Sequence, residues 1–226
     1  MAEVVLALDV ADAAAARRTL DRIPGLRWVK VGSILMTREG GSFVAELVAR
    51  GLKVFLDLKW HDIPSTVAGA VTAARGLGVS MATVHTLGGG PMMRAAAEAA
   101  GNDLGLVGVT VLTSHDAASF GEVVNRPADL AQEVRRLARA ARTARLRGVV
   151  CSPVEAALVR AELGDGAWIV VPGIRRPSDP VDDQARTATP SEAVRAGATH
   201  LVVGRPILTA NDPAGAFAEL TEGAAG

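Results

Sequence analysis

Val54-Phe55-Leu56-Asp57-Leu58 is a short run of apolar and β-branched residues, and an alanine-rich amphipathic stretch follows it. Such a run predicts a buried strand, and the stretch after it predicts a helix that packs on that strand. The same unit recurs along the whole chain, with a period of about 28 residues that fits a strand, a helix and two short loops. The predicted strands are Val4–Asp9, Trp28–Gly32, Val54–Leu58, Met81–His85, Leu106–Leu112, Gly148–Cys151, Trp168–Pro172 and His200–Gly204.

This alternation of strands and helices predicts an α/β protein with a parallel sheet. Eight uninterrupted units favour a closed (β/α)8 TIM barrel, and 226 residues lie within the range of that fold, roughly 200 to over 400 residues. An open doubly wound sheet is the alternative, but it usually has fewer strands and a glycine-rich first turn, and none follows Asp9. No linker or low-complexity block divides the chain, so residues 1–226 are expected to form a single catalytic domain.

The composition argues against several classes of protein. The 24 basic and 24 acidic side chains give a formal net charge of zero, whereas a general nucleic-acid binder would show a basic excess. A single cysteine, Cys151, excludes a disulfide framework and a cysteine-rich zinc site within the chain. The apolar stretch from Leu104 to Leu112 is far too short to span a membrane. With no visible signal peptide, we expect a cytoplasmic protein with neither nucleic acid nor membrane as a partner.

Polar residues cluster where the predicted strands end, which is where barrel enzymes carry their chemistry. Two of these residues, Lys30 and Lys59, are lysines, whereas 21 of the 24 basic residues of the chain are arginines. Lysine supplies a compact ammonium that can titrate, which arginine cannot. The polar residues at or just beyond strand ends are Asp9, Lys30, Asp57, Lys59, His85, Thr113, Ser114, Ser152, Arg175 and Arg205.

The third predicted strand carries the sharpest pattern. Side chains alternate along a strand, so Asp57 and Lys59 are expected on one side, and Leu56 and Leu58 on the other, under the helices. At about 4 Å, the attraction between the two charges is roughly 4 kcal/mol at an effective dielectric of 20. A structural ion pair at the barrel mouth is one interpretation, but inward-facing charges at a strand end favour a functional site.

A second pattern, Gly204-Arg205-Pro206, follows the last predicted strand. The glycine allows close approach of the backbone to an anion, the arginine can bind it in a bidentate manner, and the proline can open a short helix. Phosphate sites in barrels often follow strands seven and eight. Pro172-Gly173-Ile174-Arg175 would form the other wall. These two loops predict a phosphate site.

The segment Asp57-Leu58-Lys59-Trp60-His61-Asp62-Ile63-Pro64-Ser65-Thr66 resembles the signature of the orotidine 5′-phosphate decarboxylase family. Its core, Asp-x-Lys-x-x-Asp-Ile-Pro-x-Thr, is specific, and Ser65 departs from the asparagine that is common in the family. Further matching segments occur in the expected order: Lys30–Gly32, Val109–Ser114, Pro172–Arg175 and Asp183–Arg186. The resemblance implies a TIM barrel that converts orotidine 5′-phosphate to uridine 5′-phosphate and CO2 without a metal or any other cofactor.

The resemblance also implies roles for individual residues. Lys59 would be the proton donor, within an alternating array that contains Lys30, Asp57, Lys59 and Asp62. In the family, the residue at the position of Asp62 reaches the site of the neighbouring subunit, which implies a homodimer with shared active sites. The residues that would contact the nucleotide are Asp9 and Lys30 at the ribose, Thr113 and Ser114 at or near the pyrimidine, Thr66 across the interface, and Arg175, Gln184, Gly204 and Arg205 at the phosphate.

Two other functions remain open from the sequence. A Mg²⁺-dependent sugar-phosphate decarboxylase or aldolase resembles this family in its barrel and its Asp-x-Lys-x-x-Asp pattern. Such enzymes need further carboxylates, whereas this chain has Lys30 where they would place a glutamate, and Ile63–Thr66 after the second aspartate. The other alternative is a non-catalytic phosphate-binding protein, against which the intact lysine and carboxylate array argues.

Overall fold

The computed structural model of the chain describes residues 2–176, 179 and 186–226. Across these residues, parallel strands pair in chain order and form a closed barrel, because the first strand also pairs with the last. The predicted TIM barrel is therefore confirmed. The strands are β1 Glu3–Ala7, β2 Trp28–Gly32, β3 Lys53–Trp60, β4 Met81–His85, β5 Gly105–Val109, β6 Gly148–Val150, β7 Trp168–Val171 and β8 His200–Val203.

Helices surround the barrel, and local capping explains where several of them begin. Thr189-Pro190 precedes Glu192, and the backbone N–H of Thr189 donates to the Glu192 carboxylate at 2.8 Å, as expected of a capping box. No helix in the described ranges is long and apolar enough to cross a membrane. The helices are α1 Ala13–Asp21, α2 Ser33–Ala49, α3 Pro64–Gly76, α4 Gly89–Ala100, α5 Ala117–Val124, α6 Leu130–Thr143, α7 Ala156–Leu163, α8 Pro190–Arg195, α9 Arg205–Leu208 and α10 Pro213–Ala224.

The observed strands differ from the predicted ones mainly at their C-terminal ends. β1 stops at Ala7 and β5 at Val109, two and three residues before the predicted ends, whereas β3 continues to Trp60. Val111 is buried although it lies beyond β5. The apolar run in the sequence is therefore longer than the strand, because residues beyond the paired region are also buried at the barrel mouth.

Alternate residues of each strand serve two apolar layers, as the period of two along a strand requires. One set packs between the sheet and the helices, and Leu6, Leu56 and Val84 are members of it. The other set fills the interior of the barrel: Val5, Ala7, Trp28, Phe55, Met81, Val107, Val170 and Val202. The interior is consequently a packed core below the level at which polar residues begin.

Aromatic rings close the N-terminal end of the barrel. The His200 ring lies against Trp28 and Trp168, with ring centroids 5.2 and 5.0 Å away. A Cβ on Gly105 would lie 2.2 Å from the Trp168 ring, so only glycine leaves room for that indole. Burial, with a further contribution from Lys53, lowers the pKa of His200 to about 4. This histidine is a neutral part of the core.

The buried His200 makes stability depend on pH. In the unfolded chain, His200 takes up a proton as the pH falls through its ordinary pKa of 6.5, while in the folded chain it stays neutral until about 4. The free energy of unfolding should therefore decrease as the pH is lowered from 6.5 to about 4. The decrease for this one proton is up to about 1.4 kcal/mol per pH unit. His200→Phe keeps an aromatic ring that cannot titrate and should flatten that dependence, as measured by urea unfolding at a series of pH values. Parallel curves for the two proteins between these pH values would contradict the assignment.

Candidate active site

A cavity of about 510 Å³ opens at the C-terminal end of the barrel, between the ends of the strands and the loops that follow them. Many of the polar residues predicted from the sequence line it, although they come from six different strands or loops. Those that line the cavity are Asp9, Lys30, Asp57, Lys59, Thr113, Arg175, Gly204 and Arg205. The fold thus brings the predicted lysine pattern and the predicted phosphate pattern to one cavity.

Charges of alternating sign form a continuous array on one wall of this cavity. Lys30 Nζ lies 3.0 Å from Asp9 Oδ1 and 3.7 Å from Asp57 Oδ2. Lys59 Nζ donates to Asp57 Oδ1 at 2.9 Å. The side chain of Lys59 is 39% exposed, against 10% for Lys30 and 14% for Asp57. Lys59 is therefore the ammonium that faces the open part of the cavity, while Lys30 and Asp57 support it from below.

The contact predicted between Asp57 and Lys59 is present, but regular strand alternation does not produce it. Lys59 has a φ of 52°, in the left-handed region that residues with side chains rarely adopt. The pairing of β3 with β4 also shifts here, because Leu56 pairs with Ala82 and Trp60 with Val84. β3 thus contains extra residues at the site, and this irregularity places the ammonium over the carboxylate.

Thr83, on β4, contacts both members of this ion pair, and it was not among the predicted site residues. Its hydroxyl accepts a hydrogen bond from the Lys59 backbone N–H at 2.8 Å and donates one to Asp57 Oδ1 at 3.0 Å. A signal was available, because Thr83 is a polar residue two positions from Met81 on the same face of a predicted strand, and Met81 fills the barrel interior.

The loops after β7 and β8 also line this cavity. The loop after β7 is fixed by hydrogen bonds from the Arg175 N–H to the Ala188 carbonyl, at 3.0 Å, and from the Ala188 N–H to the Gly173 carbonyl, at 3.2 Å. The Gly173 φ of 79° suits glycine at this turn. A short helix, α9, begins directly after Gly204, as predicted from the proline that follows Arg205. Both predicted phosphate loops therefore face the same cavity.

Three of the predicted site residues do not line the cavity of their own chain. Asp62, Thr66 and Ser114 are exposed to solvent, and an Asp62 carboxylate oxygen accepts from the N–H of Ile63 at 2.6 Å. Gln184 lies outside the described residues. The roles implied for these four residues by the family resemblance stay predictions.

The two other titratable residues near the cavity have structural surroundings. The ring of His85 stacks on that of His61, with centroids 5.6 Å apart, and its Nδ1 accepts from the Leu87 N–H. Burial, then His61 and Lys59, lower the pKa of His85 to about 4. Burial raises the pKa of the Cys151 thiol. Neither side chain is prepared to act as an acid or a nucleophile at neutral pH.

A buried ion pair between Arg186 and Glu155 joins the loops that follow three strands. The Arg186 guanidinium contacts the Glu155 carboxylate and also donates to the carbonyls of Leu112 and His115, at 3.3 and 3.1 Å. These carbonyls flank Thr113 and Ser114. Glu155 in turn accepts from the Ser152 N–H at 3.0 Å, so Ser152 caps the short helical turn that leads into α7.

Removing one partner of this ion pair should be costly. The side chains of Glu155 and Arg186 are only 7% and 17% exposed, so Arg186→Met leaves a buried carboxylate without its cation. We expect a loss of about 3 kcal/mol in the free energy of unfolding, measured by urea denaturation. The double variant Arg186→Met, Glu155→Met should be more stable than the sum of the two single losses predicts, because no lone charge remains. Additive losses would show that the pair contributes no mutual interaction.

Comparison with known proteins gives a consistent family assignment. The sequence model of the Orotidine 5′-phosphate decarboxylase / HUMPS family matches residues 2–220. The orotidine 5′-phosphate decarboxylase of Halorhodospira halophila is 50% identical over 221 residues, which cover 96% of this chain and 93% of that protein. That of Alkalilimnicola ehrlichii is 50% identical over 222 residues, covering 96% and 94%. The crystal structure of orotidine 5′-phosphate decarboxylase from Lactobacillus acidophilus superposes with a TM-score of 0.90 at 34% identity, covering 100% of both chains.

Proposed function

The chain belongs to the orotidine 5′-phosphate decarboxylase / HUMPS family, and we propose that it decarboxylates orotidine 5′-phosphate with Lys59 as the proton donor. The products are uridine 5′-phosphate and CO2, a step of pyrimidine biosynthesis. The observation that carries the assignment of Lys59 is its position at the open end of the charge array, with Nζ 2.9 Å from Asp57 Oδ1. The ammonium is both held in place and accessible from the cavity.

The reaction explains why such an array is needed. Breaking the bond from C6 of the pyrimidine to CO2 leaves the electron pair on C6, as a vinylic carbanion that no neighbouring carbonyl delocalises. Lowering this barrier requires a contribution near the upper end of the usual range, about 8–23 kcal/mol. Asp57 disfavours the substrate carboxylate beside it, while the Lys59 ammonium stabilises the developing carbanion and then donates its proton to C6. An arginine would hold its proton too tightly for this step. In this proposal the protein's own charges perform the chemistry, with no metal or other cofactor.

The rest of the cavity suits the remainder of the nucleotide. Arg175, Gly204 and Arg205 line the same cavity as the lysines and would bind the phosphate, with Gln184 beside them. Asp9 and Lys30 would contact the ribose, and Thr113 and Ser114 the pyrimidine. Binding of a phosphate far from C6 can be used to close loops and exclude water, so that its energy appears in the rate.

A homodimer is part of the proposal. Asp62 and Thr66 are exposed and do not line the cavity of their own chain, which is what residues that serve a neighbouring site would show. Ile63, between them, is 63% exposed, and an exposed apolar side chain in this position suits an interface. Each site would then take its lysines from one chain and Asp62 and Thr66 from the other. Residues 1–226 would act as one catalytic domain, with the cytoplasm as the expected location.

The alternatives considered from the sequence receive no support. Over the described ranges, no three His, Cys, Asp or Glu side chains are grouped as metal ligands. Lys30, two residues before the end of β2, occupies the position where the Mg²⁺-dependent enzymes were expected to place a carboxylate. The intact array and the relatives named orotidine 5′-phosphate decarboxylase also disfavour a non-catalytic phosphate-binding protein.

Replacing Lys59 tests the proposed chemistry. Lys59→Ala removes the proton donor and the outer cation together and should abolish turnover, while the fold persists because the side chain faces the cavity. Loss of the orotate absorbance, followed with EDTA present, measures the activity, and circular dichroism checks the fold. Turnover within about tenfold of the wild type, or roughly 1.4 kcal/mol in barrier, would remove Lys59 from this role.

Mixing two inactive variants tests the shared site. Lys59→Ala and Asp62→Ala homodimers should both be severely impaired. When they are unfolded and refolded together, about half of the dimers should be mixed, and about a quarter of all sites should then carry neither substitution. Activity should recover to that fraction of the wild type, and only after subunits have exchanged. Mixed dimers as inactive as their parents would mean that Asp62 serves its own chain.

A further inference from the structure

We propose that Thr83 is a positioning residue for the decarboxylation, because a single hydroxyl fixes both the backbone of Lys59 and the carboxylate of Asp57. The Lys59 N–H donates to Thr83 Oγ1 at 2.8 Å, and the same hydroxyl donates its hydrogen to Asp57 Oδ1 at 3.0 Å. This inference rests on the proposed function, since it concerns how the proton donor is held.

The location of Thr83 makes the hydroxyl specific. Thr83 is completely buried; its register partner on β5 is Val107, which, like Met81 two residues before Thr83, belongs to the apolar interior of the barrel. A buried hydroxyl is unfavourable in such surroundings unless its hydrogen bonds are made. Here it is used once as an acceptor and once as a donor, and both partners belong to the charge array.

The hydroxyl also supports an unusual backbone. Lys59 has a φ of 52°, and such strain persists only where the surroundings hold it. The regular pairing of β3 with β4 is interrupted between Leu56 and Trp60. Thr83 Oγ1 supplies a hydrogen-bond acceptor for the Lys59 N–H within this interruption. The Thr83 side chain thus accepts at this point the backbone N–H that a carbonyl of the neighbouring strand accepts elsewhere in the sheet.

The second hydrogen bond sets the orientation of Asp57. Oδ1 is shared between Thr83 and Lys59 Nζ, while Oδ2 faces Lys30 at 3.7 Å. Without the hydroxyl, the carboxylate is free to rotate and the lysine backbone to relax, so that the ammonium moves relative to C6. A misplacement of about 1 Å at the reacting atoms can lower a rate by around 10²-fold. The proposed phosphate contacts lie elsewhere, and Thr83 acts on the ribose-contacting Lys30 only through Asp57, so substrate binding should change much less than kcat.

Substitutions that differ by one group separate these effects. Thr83→Val keeps the shape and removes the hydroxyl, and it should lower kcat by about 10²-fold with KM nearly unchanged. Thr83→Ser keeps the hydroxyl and should restore most of kcat. Thr86→Val is the matched control, because it removes another buried hydroxyl, which donates to the Val109 carbonyl at 2.7 Å, outside the array. That variant should keep the wild-type kcat.

The measurements are steady-state turnover of orotidine 5′-phosphate, calorimetric binding of uridine 5′-phosphate, and urea unfolding for each variant. If Thr83→Val does not fold, Thr83→Ala and Thr83→Ser form the decisive pair, since they differ only by the hydroxyl oxygen. The role of Thr83 is wrong if the hydroxyl-free variant has a kcat close to that of the wild type, or if Thr83→Ser loses as much kcat as the hydroxyl-free variant. Either result leaves the proposed function of the protein in place. Absence of turnover by the wild-type protein would overturn the proposed function, and this inference with it.

Discussion

The contact of the Asp57 carboxylate with the ammonium groups of Lys30 and Lys59 is the interaction on which the rest of the site depends. It requires neighbouring strands to end at matched heights, and the register of β2 with β3 places Gly32 opposite Asp57. A Cβ on Gly32 would lie 3.2 Å from Lys30 Nζ, so glycine leaves room for that ammonium. The register of these strands and the small size of Gly32 thus bring the charges into contact.

One end of the barrel contributes to the stability of the fold, and the other end carries the candidate active site. At the N-terminal end, Trp28 packs edge to face on Trp168 and on His200, and the rings of Trp168 and His200 are tilted against each other. At the C-terminal end, two aspartate and two lysine side chains share one wall of a cavity that is partly exposed to solvent. This separation is common to barrels of this kind. It allows the upper residues to be chosen for reactivity, because the apolar layers below them supply most of the folding energy.

Much of the fold could be predicted from the sequence, because strand period and helix capping are local properties. β2 and β4 match their predicted bounds residue for residue. The shift of β3 against β4 could not be predicted, since it depends on how two strands pair rather than on either alone. Thr83 and Arg186 were missed for the same reason: their partners lie 24 or more residues away in sequence. In the proposed homodimer, the positions of Asp62 and Thr66 in a site would depend on a second subunit, which one chain cannot specify.

The distribution of the tryptophans gives this protein two separate optical signals. The chain has three tryptophans and no tyrosine, so its near-ultraviolet emission comes almost entirely from indole. Trp28 and Trp168, with ring centroids 6.5 Å apart and planes at 90°, are close enough for their transitions to couple, and they lie in the closed end of the barrel. Trp60 directly follows Lys59 at the end of β3. Loosening of the base therefore has an intrinsic reporter in the coupled pair, and changes around the end of β3 have one in Trp60, without any added label.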